Sequence, residues 1–202
     1  MKKKDSPYNA AITREQFLFF ETRTTAKLLT EGLTQQEIIQ KIVDENLFQY
    51  PTKKSLKQLA SCCLHRLEAL GDNSLVQMIA NKPFEVAKQV CLYAMMCQYR
   101  LIWDFMITVI GEKYKKFDMS FGKMDLNVFF MQLQEQDDWV ATWTDSTVSK
   151  LKQVIKKILS ENQYLNDASA DHINPVLISY ELENAIRAAG KEVVLPAFNC
   201  LS

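Results

Sequence analysis

The chain has 202 residues, 24 basic and 24 acidic side chains, 48% apolar content and five each of Gly and Pro. That is long enough for one domain or two small ones around a real core, and too apolar for a disordered chain. Few turn residues disfavour a loop-rich all-β fold, and zero net charge excludes a global pull on polyanions, so any nucleic-acid binding must come from a local patch.

Helical periodicity runs through the sequence from its start. "MKKKDSPYNAA" has a basic opening but no apolar stretch, unlike a signal peptide. "TREQFLFFETRTTAKLLTEG" predicts a helix from Thr13, as N-cap, to a stop at Gly32. Thr34 with Glu37 three residues later forms a capping box ahead of Ile38, Ile39, Ile42 and Val43, which share one face. After Pro51, Thr52 opens a helix carrying Leu56, Leu59, Cys63, Leu67 and Leu70, ended by Gly71. The short turn between these two helices suits a helix-turn-helix-like unit, in which Lys53, Lys54 and Lys57 start the second helix. Lysines oppose the macrodipole there, so a phosphate backbone is a reason for them to be present.

Pro83 starts the next predicted helix, a long core element to Ile110 whose Leu92, Met95, Met96, Tyr99, Ile102, Trp103 and Met106 cover much of its circumference. It is the most membrane-like stretch. Gln98, Arg100 and Asp104 argue against a span, because each central charge costs roughly 2.5 to 3.5 kcal/mol on insertion scales. "GEKYKKFDMSFGKM" follows as a basic connector with Lys113, Lys115 and Lys116, and "DLNVFFMQLQEQ" is a further short helix. Asp137 and Asp138 end that helix and face solvent. The next helix, within "WTDSTVSKLKQVIKKILSENQYL", has no acid between Ser146 and Ser160. Val148, Leu151, Val154, Ile155, Ile158 and Leu159 form its inner side, flanked by Lys150 and Lys157 on one edge and Lys152 and Lys156 on the other. A β-hairpin wing is expected near residues 163–174, then a helix from Pro175 to Ala189 and an extended tail. The expectation is a mostly α protein: a compact helical bundle with helix-turn-helix-like units, divided into residues 1–111 and a winged-helix-like 112–202.

Chemistry-bearing motifs are few. There is no GxGxxG, Walker loop, HExxH or GxSxG. Cys62 and His65 could share a helix face, but further zinc ligands at suitable spacing are missing. The five cysteines are odd in number with two adjacent, which reads as reduced thiols in a cytosol. Neither a metal, a cofactor nor a catalytic set is expected. Phe19, Phe20, Trp103, Phe129, Phe130, Trp139 and Trp143 fall on apolar faces and are expected in the core. Lysine without arginine favours backbone contact over base readout. The reading is a DNA-binding protein contacting duplex through Lys53, Lys54, Lys57, Lys113, Lys115, Lys116, Lys150, Lys152, Lys156 and Lys157. The alternative is a protein–protein adaptor in which those lysines face a partner's acids, and the plainest one is a solvated surface.

The segments "QFLFFETRTTAKLLTEGLTQQEI", "DENLFQYPTKKSLKQLA", "LYAMMCQYRLIWDFMITVIGEKY" and "NVFFMQLQEQDDWVATWTDSTVSKLKQVIKKILSENQYL", with the ending "LPAFN", together resemble the BrxA family of BREX bacteriophage-exclusion systems. The resemblance spans nearly the whole chain and rests on the ensemble, since no segment is catalytic or diagnostic alone. It implies a small, mostly helical, cytoplasmic protein that binds double-stranded DNA, works beside other BREX proteins and has no enzymatic activity of its own. It assigns no DNA-contacting residue.

Overall fold

The computed structural model describes residues 5–201. Where the sequence suggested a boundary at 111–112, the chain groups into two compact units: Phe17–Gln98, and Met1–Gln16 with Tyr99–Ser202.

The first unit holds α1 (Phe19–Thr30), α2 (Gln35–Asp44), α3 (Lys53–Ala69), α4 (Asn73–Asn81) and α5 (Phe84–Gln98). The Thr34–Glu37 capping box starts α2, with the Glu37 carboxylate accepting from the Thr34 amide at 2.8 Å. The Thr52 hydroxyl caps α3 by accepting from the Ser55 amide. Leu28, Ile38, Ile42, Leu56, Leu59 and Leu64 pack together between the first three helices. Val90 through Met96 are all buried on α5, as expected of a helix apolar around its whole circumference. α1 starts later than expected, at Phe19, behind a left-handed Leu18 (φ 53°) that has no side-chain cap. Thr13 instead closes a short 3-10 turn, Ala11–Thr13, that belongs to the second unit. The sequence reading missed α4, a nine-residue helix capped by Asp72. Residues 45–52 connect α2 to α3, against the three or four residues of a DNA-binding helix-turn-helix.

The expected single helix over 83–110 is interrupted. Tyr99 is extended (φ −117°, ψ 107°), and its phenol donates to Glu15 Oε2 at 2.5 Å. The chain resumes as α6 (Arg100–Phe105), a π-helical turn (Met106–Gly111) and α7 (Glu112–Lys115). No described helix is long and apolar enough to cross a membrane. The second unit continues with α8 (Lys123–Gln136), α9 (Asp138–Ala141), α10 (Asp145–Glu161), α11 (Tyr180–Ala188) and a 3-10 helix, Glu192–Phe198, where an extended tail was expected. α11 starts at Tyr180 rather than Pro175, with Ser179 as its cap. Asp137 does more than end a helix: it is buried, and its Oδ1 accepts from the amides of Trp139 and Val140, capping α9.

The hairpin wing is absent; no strand occurs among the described residues. One backbone bond does join its expected arms, Asn174 N to Tyr164 O at 2.8 Å. The second arm otherwise pairs elsewhere. Ile173 N donates to Met119 O and Phe121 N to Asp171 O, around a lone bridge between Ser120 and His172. Burial explains the choice, because Tyr164, Leu165 and Ile173 all enter the core instead of alternating in and out. Among the aromatics expected inside, Phe19, Phe129 and Phe130 are buried and the three tryptophans half-buried, but Phe20 is exposed.

Candidate nucleic-acid interface

α10 carries the densest run of lysines. Thr144 caps it, and Val148, Leu151, Val154, Ile155, Ile158 and Leu159 are buried as the wheel predicts. That inner stripe fixes the rotation of the helix, so the lysines must emerge along its edges. Lys150 is exposed and forms no ion pair with a described residue. Lys152 donates to Asn127 Oδ1 on α8 at 2.7 Å, and its ammonium lies 5.6 Å from the centroid of the Phe130 ring. Lys156 donates to the Ala168 carbonyl at 3.1 Å. Lys157 donates to Gln16 Oε1 at 2.7 Å and has Glu161 at 3.7 Å. Three of the four therefore keep their charge without a carboxylate partner among the described residues.

Between α8 and α10 runs a groove of about 440 Å³. Lys123, Lys152 and Lys156 line it with the polar side chains of Asn127, Ser149 and Gln153, over an apolar floor of Leu126 and Val148. Asp145 is the one acid in its lining. Lys123, exposed at the first position of α8, makes no ion pair with a described residue. Sequence reading overlooked it because it stands 29 positions before Lys152 and joins the group only through helix packing. Ammonium groups beside amide and hydroxyl donors above an open groove are suited to phosphate oxygens, which accept from all of them.

The connector lysines are placed differently. Lys113 is only 12% exposed and bridges Asp118 Oδ2 at 2.9 Å and Asp125 Oδ1 at 2.8 Å. Burial acts to lower its pKa, but the two carboxylates outweigh it and hold Lys113 above the ordinary lysine range. Asp118 is held well below the usual carboxylate range, first by the Ser120 hydroxyl and then by Lys113. Asp125 also accepts from the Gly122 amide and so closes the N-terminus of α8. Lys115 and Lys116 both face Glu112, at 2.9 and 3.8 Å. This cluster is internally neutralised.

In the first unit, Lys53, Lys54 and Lys57 are exposed on the opening turns of α3 and form no ion pair with a described residue. No group of three or more His, Cys, Asp or Glu among the described residues is placed to hold a metal.

A family model described as BrxA matches residues 6–190. The BREX protein BrxA of Bacillus cereus (strain H3081.97) is 34% identical over 193 residues, 95% of this chain and 96% of its own length. The BREX protein BrxA of Paramagnetospirillum magneticum (strain ATCC 700264 / AMB-1) is 28% identical over 93% of this chain and 94% of its own. The crystal structure of an uncharacterized protein from Magnetospirillum magneticum is also similar. It superposes with a TM-score of 0.82 at 26% identity, over 96% of this chain and 98% of that one.

Proposed function

The chain belongs to the BrxA family of BREX proteins, and from that premise we propose that it is a DNA-binding accessory component of a bacterial phage-defence system. It acts in the cytoplasm, without enzymatic activity of its own, beside other BREX proteins. It holds double-stranded DNA by the sugar-phosphate backbone.

One observation carries this reading: Lys123, Lys152 and Lys156 line one groove between α8 and α10, and neither they nor Lys150, elsewhere on α10, has a carboxylate partner among the described residues. Maintaining unpaired like charges side by side is unfavourable in isolation, and a polyanion relieves it while releasing condensed counterions. Lysine ammoniums are point charges without the planar fork that reads guanine, so affinity should depend little on base sequence. Lys53, Lys54 and Lys57, at the start of α3, form a second, separate basic turn available to phosphate.

The test is duplex binding from low to moderate salt with two unrelated sequences. Similar affinities that fall steeply with salt are expected. A salt-independent affinity, or no binding at low salt, overturns the reading.

A further inference from the structure

The openings of α1 and α5, both within the first unit, present an aromatic surface distinct from the lysine clusters. Phe20 and Phe84 are 68% and 52% exposed. Their ring centroids lie 6.3 Å apart with planes at 64°. Both rest on buried Phe19, at 5.3 and 5.7 Å. The Arg23 guanidinium carbon stands 4.8 Å from the Phe84 centroid, and the Lys88 ammonium 5.8 Å from that of Phe19. Arg23 donates through Nη2 to the Lys82 carbonyl at 2.8 Å, while its Nη1 is shut off from solvent without an acceptor among the described residues. Neither Arg23 nor Lys88 forms an ion pair with a described carboxylate, and Glu85, exposed beside Phe84, is paired to neither.

Exposed rings gathered over a buried third, rimmed by unpaired cations, form a surface of the kind that binds rather than one merely solvated. We propose that this patch docks a short acidic segment of a partner protein. One large apolar side chain of that segment packs on the exposed Phe20 and Phe84 rings, and flanking carboxylates meet Arg23 and Lys88. Two features favour a peptide over a nucleobase. The edge-to-face rings do not form a flat shelf, and base stacking needs an open ring face. The Phe84 face is already covered by Arg23. The sign of the rim selects the acids, since unpaired cations beside an apolar anchor are complemented by carboxylates and repel basic segments. Aromatic and Arg anchors of this sort dominate measured interface energies. The inference stands apart from the DNA reading, which rests on other residues.

The test uses the full chain and a fluorescent synthetic peptide with a central Trp-Leu pair flanked on both sides by glutamates, followed by anisotropy. The control peptide has serines for the glutamates. The acidic peptide should bind about tenfold more tightly than the control. Phe20→Ser with Phe84→Ser, and separately Arg23→Gln with Lys88→Gln, should each weaken it about tenfold. Duplex affinity is measured alongside and should stay close to wild type in both variants; the thermal unfolding midpoint should stay close to wild type in the phenylalanine variant, whose substituted rings are exposed, and fall somewhat in the Arg23–Lys88 variant, which loses the bond to the Lys82 carbonyl. Equal binding of the two peptides, or variants that bind the acidic peptide like wild type, overturns the proposal. So does selective loss of oligothymidylate binding in the phenylalanine variant, which reassigns the patch to base stacking.

Discussion

Two lysine-rich stretches of the second unit look alike in sequence and differ in structure. "EKYKK" and "SKLKQVIKK" each concentrate positive charge, yet the first is consumed by Glu112, Asp118 and Asp125. The second is held mainly by neutral oxygens, those of Asn127, Ala168 and Gln16. A carboxylate cancels the charge that a polyanion would feel, whereas an amide or carbonyl only orients it. Density of lysine along the chain is therefore a poor guide to available charge; the identity of the acceptors decides.

Charge reversal at α10 should break the comparison most visibly. Lys150→Glu with Lys152→Glu and Lys156→Glu is expected to weaken duplex binding by an order of magnitude or more at low salt, alike for unrelated sequences. Electrophoretic or anisotropy titration reads it directly. Reversing Lys115 and Lys116 instead should leave a much smaller deficit, because Glu112 already neutralises part of that charge.

Stability should show the opposite ranking. Lys113→Met strands Asp118 and Asp125 and should cost about 1–2 kcal/mol, the lower part of the range for charged hydrogen bonds, because Asp118 is 48% exposed and screened. The unfolding midpoint should drop by roughly 2–4 °C per kcal/mol in a chain of this size. The α10 substitutions should leave it nearly unchanged.

Acid should sharpen the same contrast. The folded pKa of Asp118 is depressed by Ser120 and Lys113. Its contribution is thus present above the unfolded value near 3.9 and is lost as the pH falls through the lower folded value. Urea unfolding of wild type between pH 6 and about pH 2.5 should accordingly be more acid-sensitive than that of Lys113→Met. The smallest effect is expected for Lys115→Gln with Lys116→Gln, within about 0.5 kcal/mol of wild type, since the pairs with Glu112 are surface ion pairs.

What could be read in advance follows the range of the interactions. The Thr34–Glu37 box, the Thr52 cap, the stops at Gly32 and Gly71 and the buried stripe of α10 are all set within one or two turns of chain. The break at Tyr99 involves neither Pro nor Gly and goes with a bond to Glu15, 84 positions away. The hairpin failed for a similar reason, its second arm being taken by Met119 and Phe121. Of the candidate site, the α10 lysines were visible because an acid-free amphipathic helix is a local pattern. Lys123 and the neutralisation of Lys113 were not, because Asp125 and the α8–α10 groove exist only once α8 has packed. Phe20 was assigned to the core as part of an apolar helix face; helix rotation buries Phe19 and leaves Phe20 outside.

The most direct test of the account is the slope of log affinity for duplex DNA against log salt, for wild type and for Lys150→Gln with Lys152→Gln and Lys156→Gln. If these ammoniums neutralise phosphates, the slope should become shallower by about 0.9 per lysine removed, with no change in unfolding midpoint. An unchanged slope in the triple variant would contradict the account.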